Sequence, residues 1–333
     1  MSVPGTQDPL QRPSAGRLSR VLGSIWLRIF VTTGLLALVA ANVDWSRMDA
    51  RVSNGRPQYF AAAVLLVIAA LGVGVIRWRQ LLVATEIHLD LASLTRVYAV
   101  STFSSTFLPT SVGGDVARTL LVVRRGPLLG RVGMSVAVDR VGGFVGLLGV
   151  AWVALVVDPG AAPGVVVVFL GWVTAAFAGA AAVCVWVLGR GRTMQRLVPT
   201  RMRDLAARSR TLLRSFVANR RLMLSLLMTS LVFQALVSLS IVALARSVDV
   251  ELSYPVAALT LTLMTVATMV PLSVAGFGVR EASYVVILGP AGISATDATL
   301  ISLLTVAALF AASLPGAFLL IRRGTTPILE AAA

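Results

Sequence analysis

The chain has 333 residues, of which 57% are hydrophobic and only 13% charged, and its mean hydropathy is +0.88. A soluble domain of this length carries roughly 25% charged residues, so the composition belongs to a membrane protein with room for about six to eight spans of roughly 20 residues. The net charge of +15 would point to nucleic acid in a soluble chain, but here the basic residues lie between apolar runs, so no nucleic-acid partner is expected and the charge reads as a topology signal.

All 29 basic residues are arginine, which excludes a Walker A lysine and Schiff-base or pyridoxal chemistry. One histidine, His88, and one cysteine, Cys184, exclude an internal disulfide and a His/Cys metal cluster, and no cofactor is expected. His88 lies in a polar connector beside Glu86 and Asp90 and reads as a solvated surface residue. Cys184 lies in an apolar run and reads as packing.

Residues 1–22 form a polar tail with Arg12, Arg17 and Arg20 ahead of the first apolar run. Apolar runs then follow at about 24–42, 58–76, 132–157, 163–189, 222–245 and 295–321, each long enough to cross a hydrocarbon core. A cleaved signal peptide ending near Ala40 and Ala41 is the rival reading of the first run. Two further stretches, 92–123 and 255–292, are apolar but interrupted, by Pro109 with Gly113 and Gly114 and by Pro271 with Gly276 and Gly278. Such interruptions predict helices that enter, unwind and restart.

If both interrupted stretches turn back, one side collects the N-terminus, 77–91, 124–131, 190–221 and the C-terminus, with 20 of the arginines, Arg77 and Arg79 among them. The opposite side holds Arg47, Arg51, Arg56 and Arg246 among Asp44, Asp49, Asp158, Asp249, Glu251 and Asp297. The excess of positive charge places both termini in the cytoplasm, with 322–333 as a cytoplasmic tail. The segment 190–221 reads either as a basic amphipathic helix on the inner leaflet or as a charged connector. Gly142, Gly146 and Gly149 read as helix-packing positions, and Trp26, Trp45, Trp78 and Trp152 as interfacial aromatics.

The two interrupted stretches resemble each other. Pro109-Thr110-Ser111-Val112-Gly113-Gly114-Asp115-Val116-Ala117-Arg118 and Pro271-Leu272-Ser273-Val274-Ala275-Gly276-Phe277-Gly278-Val279-Arg280 share Pro, Ser, Val, Gly and Arg at identical offsets, 162 residues apart. Each half orders two spans, a broken hairpin and a span. The predicted fold is an all-α polytopic membrane protein, an inverted-topology repeat with six full spans and two re-entrant hairpins. The integral domain runs from 23 to 321, its first repeat covering about 23–158 and its second about 162–321. This symmetry requires 24–42 to be retained as a span.

The run Phe107-Leu108-Pro109 through Gly113-Gly114-Asp115 and Arg118, the pair Asp139-Arg140, and Pro271 through Gly276-Phe277-Gly278-Val279-Arg280-Glu281 resemble the lysylphosphatidylglycerol synthase transmembrane family. This is the flippase-like membrane domain of the multiple peptide resistance factor, and the resemblance covers nearly the whole chain. It implies movement of a lipid between leaflets of a bacterial plasma membrane, and relatives stand alone or occur near glycosyltransferases and isoprenoid-lipid pathways. The chain stops near residue 333 without the cytosolic aminoacyl-transferase domain, so it is expected to be a stand-alone member that is not itself an enzyme.

The chemistry of the residues agrees with a phosphate-bearing lipid. An arginine at mid-bilayer costs about 2.5–3.5 kcal/mol on insertion scales and so needs a partner or a watery cavity. Arg118 and Arg280 are expected in the first turn of restarted half-helices, where free N–H groups and guanidinium together suit an anion. Ser111 and Ser273 offer hydroxyls, and Gly113, Gly114, Gly276 and Gly278 allow close backbone approach. The competing reading is an internal charge network, in which Asp115 pairs with Arg118 while Asp139 and Glu281 neutralise Arg140 and Arg280. Asp115, Asp139 and Glu281 are also candidate proton carriers. The expected partner is an anionic membrane lipid, such as an aminoacylated phospholipid or a polyprenyl phosphate, alongside a lipid synthase or glycosyltransferase; a homo-oligomer is compatible with the sequence. The rivals are a membrane enzyme acting on a headgroup and a scaffold for a separate synthase.

Overall fold

The computed structural model describes residues 32–41, 43–107, 113–123, 126, 128–189, 219–269 and 276–323. Among them there is no strand. The helices are α1 (Thr32–Ala41), α2 (Trp45–Ser53), α3 (Pro57–Ala84), α4 (Leu91–Phe107), α5 (Gly113–Val122), α6 (Leu128–Val157), α7 (Gly164–Gly189), α8 (Arg220–Ser247), α9 (Tyr254–Met269), α10 (Val279–Leu288) and α11 (Ala295–Arg323), with a 3-10 turn at Gly289–Ala291. Five of them, α3, α6, α7, α8 and α11, are long and apolar enough to cross a membrane. The chain is a multi-pass membrane protein. The N-terminal tail, the basic segment up to residue 218, and residues 324–333 lie outside the described residues, as do Ser111 and Ser273 and the side chain of Cys184.

Local chemistry sets the helix ends. Pro57 begins α3 where its missing N–H costs nothing. Asp44, Asp90 and Asn219 each accept a backbone N–H three residues on, from Arg47, Ser93 and Leu222, and so start α2, α4 and α8. The Ser294 hydroxyl does the same for Asp297 at the head of α11. His88 is exposed, as expected.

Both interrupted stretches double back. Gly114 meets Ser105 and Ser101, the Arg118 guanidinium covers the Tyr98 ring, and Leu94 and Val97 share a core with Val122 and Val123. Only antiparallel arms give that order, so α4 and α5 form a helical hairpin. Likewise Gly276 packs on Thr268, while Tyr284 and Leu288 share a core with Leu261 and Ala257 across α9 and α10. At about 1.5 Å per residue α5 and α10 are roughly 15 Å long, half of a hydrocarbon core about 30 Å thick.

The hairpin bases lie at opposite ends of the bundle. Arg131 on α6 reaches the Thr85 carbonyl and Glu86 at the base of the first. At the other end of α3 the Arg56 N–H donates to the Ser247 carbonyl and its guanidinium pairs with Asp249 at the base of the second. Helices α3 and α8 pack antiparallel at the centre, with Arg77 at Ser230 and Leu81 beside Leu226. Around that pair the packing comes in matched sets: α4 on α11 with α9 on α6, α6 on α8 with α11 on α3, α5 on α6 with α10 on α11, and α3 on α4 with α8 on α9.

Glycines let these helices close up. A Cβ on Gly146 would lie 2.6–2.8 Å from Ser230, and one on Gly149 2.9 Å from Leu231, so the packing role read for α6 is what the structure uses. Outer faces are apolar and open, as at Leu65, Val156, Val165 and Ile321.

Two expectations are corrected here. Helix α3 does not stop at 76: it runs through Trp78 to Ala84, which draws Arg77 into the interior at 5% exposure and leaves only Arg79 on the surface. Trp78, read as an interfacial aromatic, is fully buried because its indole N–H donates to Ser135 and its face carries the Arg118 guanidinium. Trp45 and Trp152 are exposed as expected.

Candidate functional site

Asp139 is the hinge of an ion network between the first hairpin and the central helices. Placed 11 residues into α6, it lies roughly 16 Å from that helix's start. Its Oδ1 accepts from Arg77 Nε at 2.7 Å and its Oδ2 from Arg118 Nη1 at 3.1 Å. Arg118 Nη2 also donates to Asp115 Oδ1 at 3.1 Å, and Asp115 Oδ2 accepts from Arg140 Nε. Arg77, Arg118 and Asp139 are buried, while Arg140 is 43% exposed at its side chain.

Three guanidinium groups face two carboxylates, leaving one excess positive charge. The remaining surfaces of the cations are covered by rings: Arg118 lies 4.8 Å from the Trp78 centroid and 5.3 Å from Tyr98, and Arg77 lies 5.3 Å from Phe233. Desolvated contacts of this kind are worth up to about 2 kcal/mol each. The network borders a cavity of about 320 Å³, lined by the arginines, Asp115, Asp139, Gly114 and Gly143 together with Ser101, Thr102, Ser105, Gln234 and Thr265. That volume is at the small end of ligand sites, large enough for a polar headgroup and too small for acyl chains.

The second hairpin is built differently. Arg280 is the second residue of α10, preceded by Gly276 and Gly278, both at φ near +80°, a backbone region that side chains disfavour. Position 277, where the repeat would place the partner of Asp115, is phenylalanine, and the guanidinium lies 5.8 Å from its ring. Among the described residues Arg280 makes no ion pair. Glu281 is buried, and its Oε2 accepts the Gly278 N–H at 2.6 Å, so the helix's own carboxylate closes its N-terminus.

The geometry brings Gly114, Asp115, Arg118, Asp139 and Arg140 to one cavity and Gly276, Gly278, Arg280 and Glu281 to the tip of the other hairpin. Arg280 does not line the cavity; its Nη2 lies near Gly276 and Thr268, next in the chain to cavity-lining Met269. Gly113 opens α5. Three pairing details differ from expectation. Arg118 is in the second turn of α5, since the helix begins at Gly113, so its backbone is already bonded within the helix. Arg140 pairs with Asp115 and not with its neighbour Asp139, because adjacent residues point about 100° apart on a helix. Glu281 caps Gly278 instead of neutralising Arg280.

Sequence reasoning missed Arg77, Tyr98 and Gln234 as parts of the site. The signal for Arg77 was present: the apolar run resumes beyond it through Leu81, Leu82 and Val83, and an arginine inside such a run needs a partner in the interior.

The family model described as "Lysylphosphatidylglycerol synthase TM region" matches residues 25–316. A comparison with curated proteins gives no match.

Proposed function

The chain belongs to the lysylphosphatidylglycerol synthase transmembrane-region family, and from that premise we propose that it is a flippase that carries a phosphate-bearing lipid across a bacterial plasma membrane. The observation that carries the reading is Arg280: a cation on a glycine-hinged half-helix that makes no ion pair among the described residues, the neighbouring Glu281 being turned to the Gly278 N–H. The oppositely based hairpins and the matched packing of the two halves support an inverted repeat, in which one hairpin dips in from each membrane face. Both termini are then cytoplasmic, since the arginine-rich connectors fall on the side of the first hairpin's base.

In this reading the ion network gives the cavity its excess positive charge, and the headgroup exchanges between that cavity and Arg280 while the acyl chains stay in the bilayer. Guanidinium supplies bidentate bonds to phosphate oxygens, and the positive-φ glycines keep the approach open. The chain acts on no covalent bond; an aminoacylated phospholipid or a polyprenyl phosphate made by a separate synthase or glycosyltransferase is its cargo.

The test uses the full chain in vesicles containing fluorescent NBD-phosphatidylglycerol, with dithionite quenching reporting the outer leaflet. Arg280→Ala is expected to slow transbilayer movement at least tenfold, with Arg280→Lys intermediate. Wild-type rates in a well-folded Arg280→Ala protein would overturn the reading.

A further inference from the structure

Hydroxyl groups inside these helices mostly return their proton to their own backbone: Thr260, Thr262, Thr265, Thr268, Thr305 and Ser313 all donate to a carbonyl three or four residues back. Thr299 and Ser302 on α11 do not. Both are buried, at 5% and 0% exposure, and their hydroxyl oxygens have no hydrogen-bond partner among the described residues. Glu281 Oε1, on the facing helix at 2% exposure, is in the same condition. Between them the Tyr284 hydroxyl and the Thr305 hydroxyl meet at 3.1 Å across α10 and α11.

These groups fall in a line. Thr299, Ser302 and Thr305 follow one another at a spacing of three, each about 60° further round α11, so they form a slanting stripe that ends at α10, where Glu281 and Tyr284, also three apart, share one face. The two helices are joined by the tight turn after Leu288, so they run antiparallel, and Glu281 lies deeper than the Tyr284–Thr305 contact. The line begins beside Asp297, which pairs with Arg47 and Arg51 of α2 at the bundle's other end. From Asp297 to Glu281 it covers roughly 16 Å, half of a hydrocarbon core. Buried polar atoms left without protein partners are characteristically joined by water.

We propose that this line is a hydrated track that delivers protons from the Asp297 surface to Glu281 Oε1. The track rests on nothing but this geometry; its link to lipid movement rests on the flippase reading. The proton arrives from water and bonds to Oε1, and Oε2 keeps the Gly278 N–H throughout. Arg280 and Tyr284 are the ionisable groups beside Glu281 on its own helix. Among the described residues, α1, α9 and α11 bring no other ionisable side chain near it, Asp297 being at the far end of the track. A lipid phosphate on Arg280 is repelled by an ionised Glu281 and not by a protonated one, so proton and anion bind together and each raises the other's affinity. A proton that binds with the cargo at one face and is released with it to water at the other couples lipid movement to a proton gradient, with no nucleotide.

Two readouts on the purified full chain decide this without a transport assay. Hydroxyl-radical footprinting is expected to label Tyr284 despite its zero exposure, and Thr299→Val with Ser302→Ala should cut that labelling at least threefold while leaving Tm near wild type. Infrared difference spectra should show a carboxylic-acid band that titrates with pH, disappears in Glu281→Gln and grows when phosphatidylglycerol micelles are added at fixed pH. Full protection of Tyr284, or no Glu281 band at any pH, overturns the track. A titrating band that ignores bound phosphatidylglycerol overturns the linkage. If phosphatidylglycerol does not bind at all, the cargo reading falls while footprinting and titration still judge the track.

Discussion

Asp139 shows why a buried charge network is unequal in its parts. It pairs with two buried guanidinium groups, so Asp139→Ala strands Arg77, which has no other carboxylate among the described residues, and leaves Arg118 with Asp115 alone. Breaking a buried pair from one side typically costs about 3–5 kcal/mol. Arg140→Ala should cost about 1 kcal/mol or less, because Arg140 is partly exposed and Asp115 keeps Arg118. Thermal unfolding in detergent checks the ranking: a clear fall in Tm for Asp139→Ala, and little change for Arg140→Ala. Outside the membrane-spanning segments, Asp44 behaves differently. The Ser46 hydroxyl and then the Arg47 N–H hold its carboxyl below the usual range. A lowered folded value means the cap's contribution is complete above the ordinary value near 3.9 and is lost as pH falls through the lower folded one. Fraying of α2, followed by exchange of the Met48 amide N–H, should therefore begin only below about pH 4, and Asp44→Ala should abolish that dependence. At this scale the sequence revealed Arg118, Asp115, Asp139 and Arg280 through their positions in apolar runs. It did not reveal that Arg140 would choose Asp115, because that depends on how far α5 and α6 rotate against each other.

Helices α6 and α8 approach closely because Gly146 and Gly149 leave room, and Gly146 is the tighter of the two. A side chain at 146 collides with Ser230 backbone, which cannot swing aside, whereas one at Gly171 on α7 meets nothing within 4 Å. Gly146→Val should lower Tm by several degrees and reduce transport by shifting Ser230 away from Arg77, while Gly171→Ala leaves both unchanged. Proline and paired glycines made both hairpins legible, because few other residues interrupt an apolar helix so consistently. The end of α3 was not legible: charge was read as a boundary, and Arg77 is tolerated inside only because Asp139 arrives from another helix. Nor was α2, a nine-residue helix with no buried residue, tied to the bundle by long-range contacts: Arg47 and Arg51 pair with Asp297, Arg51 donates to the Val248 and Asp249 carbonyls, and the Asp44 N–H donates to Thr296.

Across the whole molecule the helices of the two halves pack in matched pairs while their hairpins carry different chemistry. The first hairpin carries a paired network with one positive charge in excess and the second an arginine whose would-be partner is Phe277, an asymmetry already present in the aligned ten-residue stretches. Such division suits a carrier, which needs one site to hold charge in place and another free to exchange it. The account depends on the hairpins opening to opposite membrane faces. Single cysteines at His88 and at Gly292, in a Cys184→Ser background, report this through an impermeant maleimide applied to vesicles of known orientation. Labelling of the two positions from opposite faces, with His88 reached from the cytoplasm, is the predicted result; labelling of both from the same face would contradict the inverted repeat and the transport mechanism built on it.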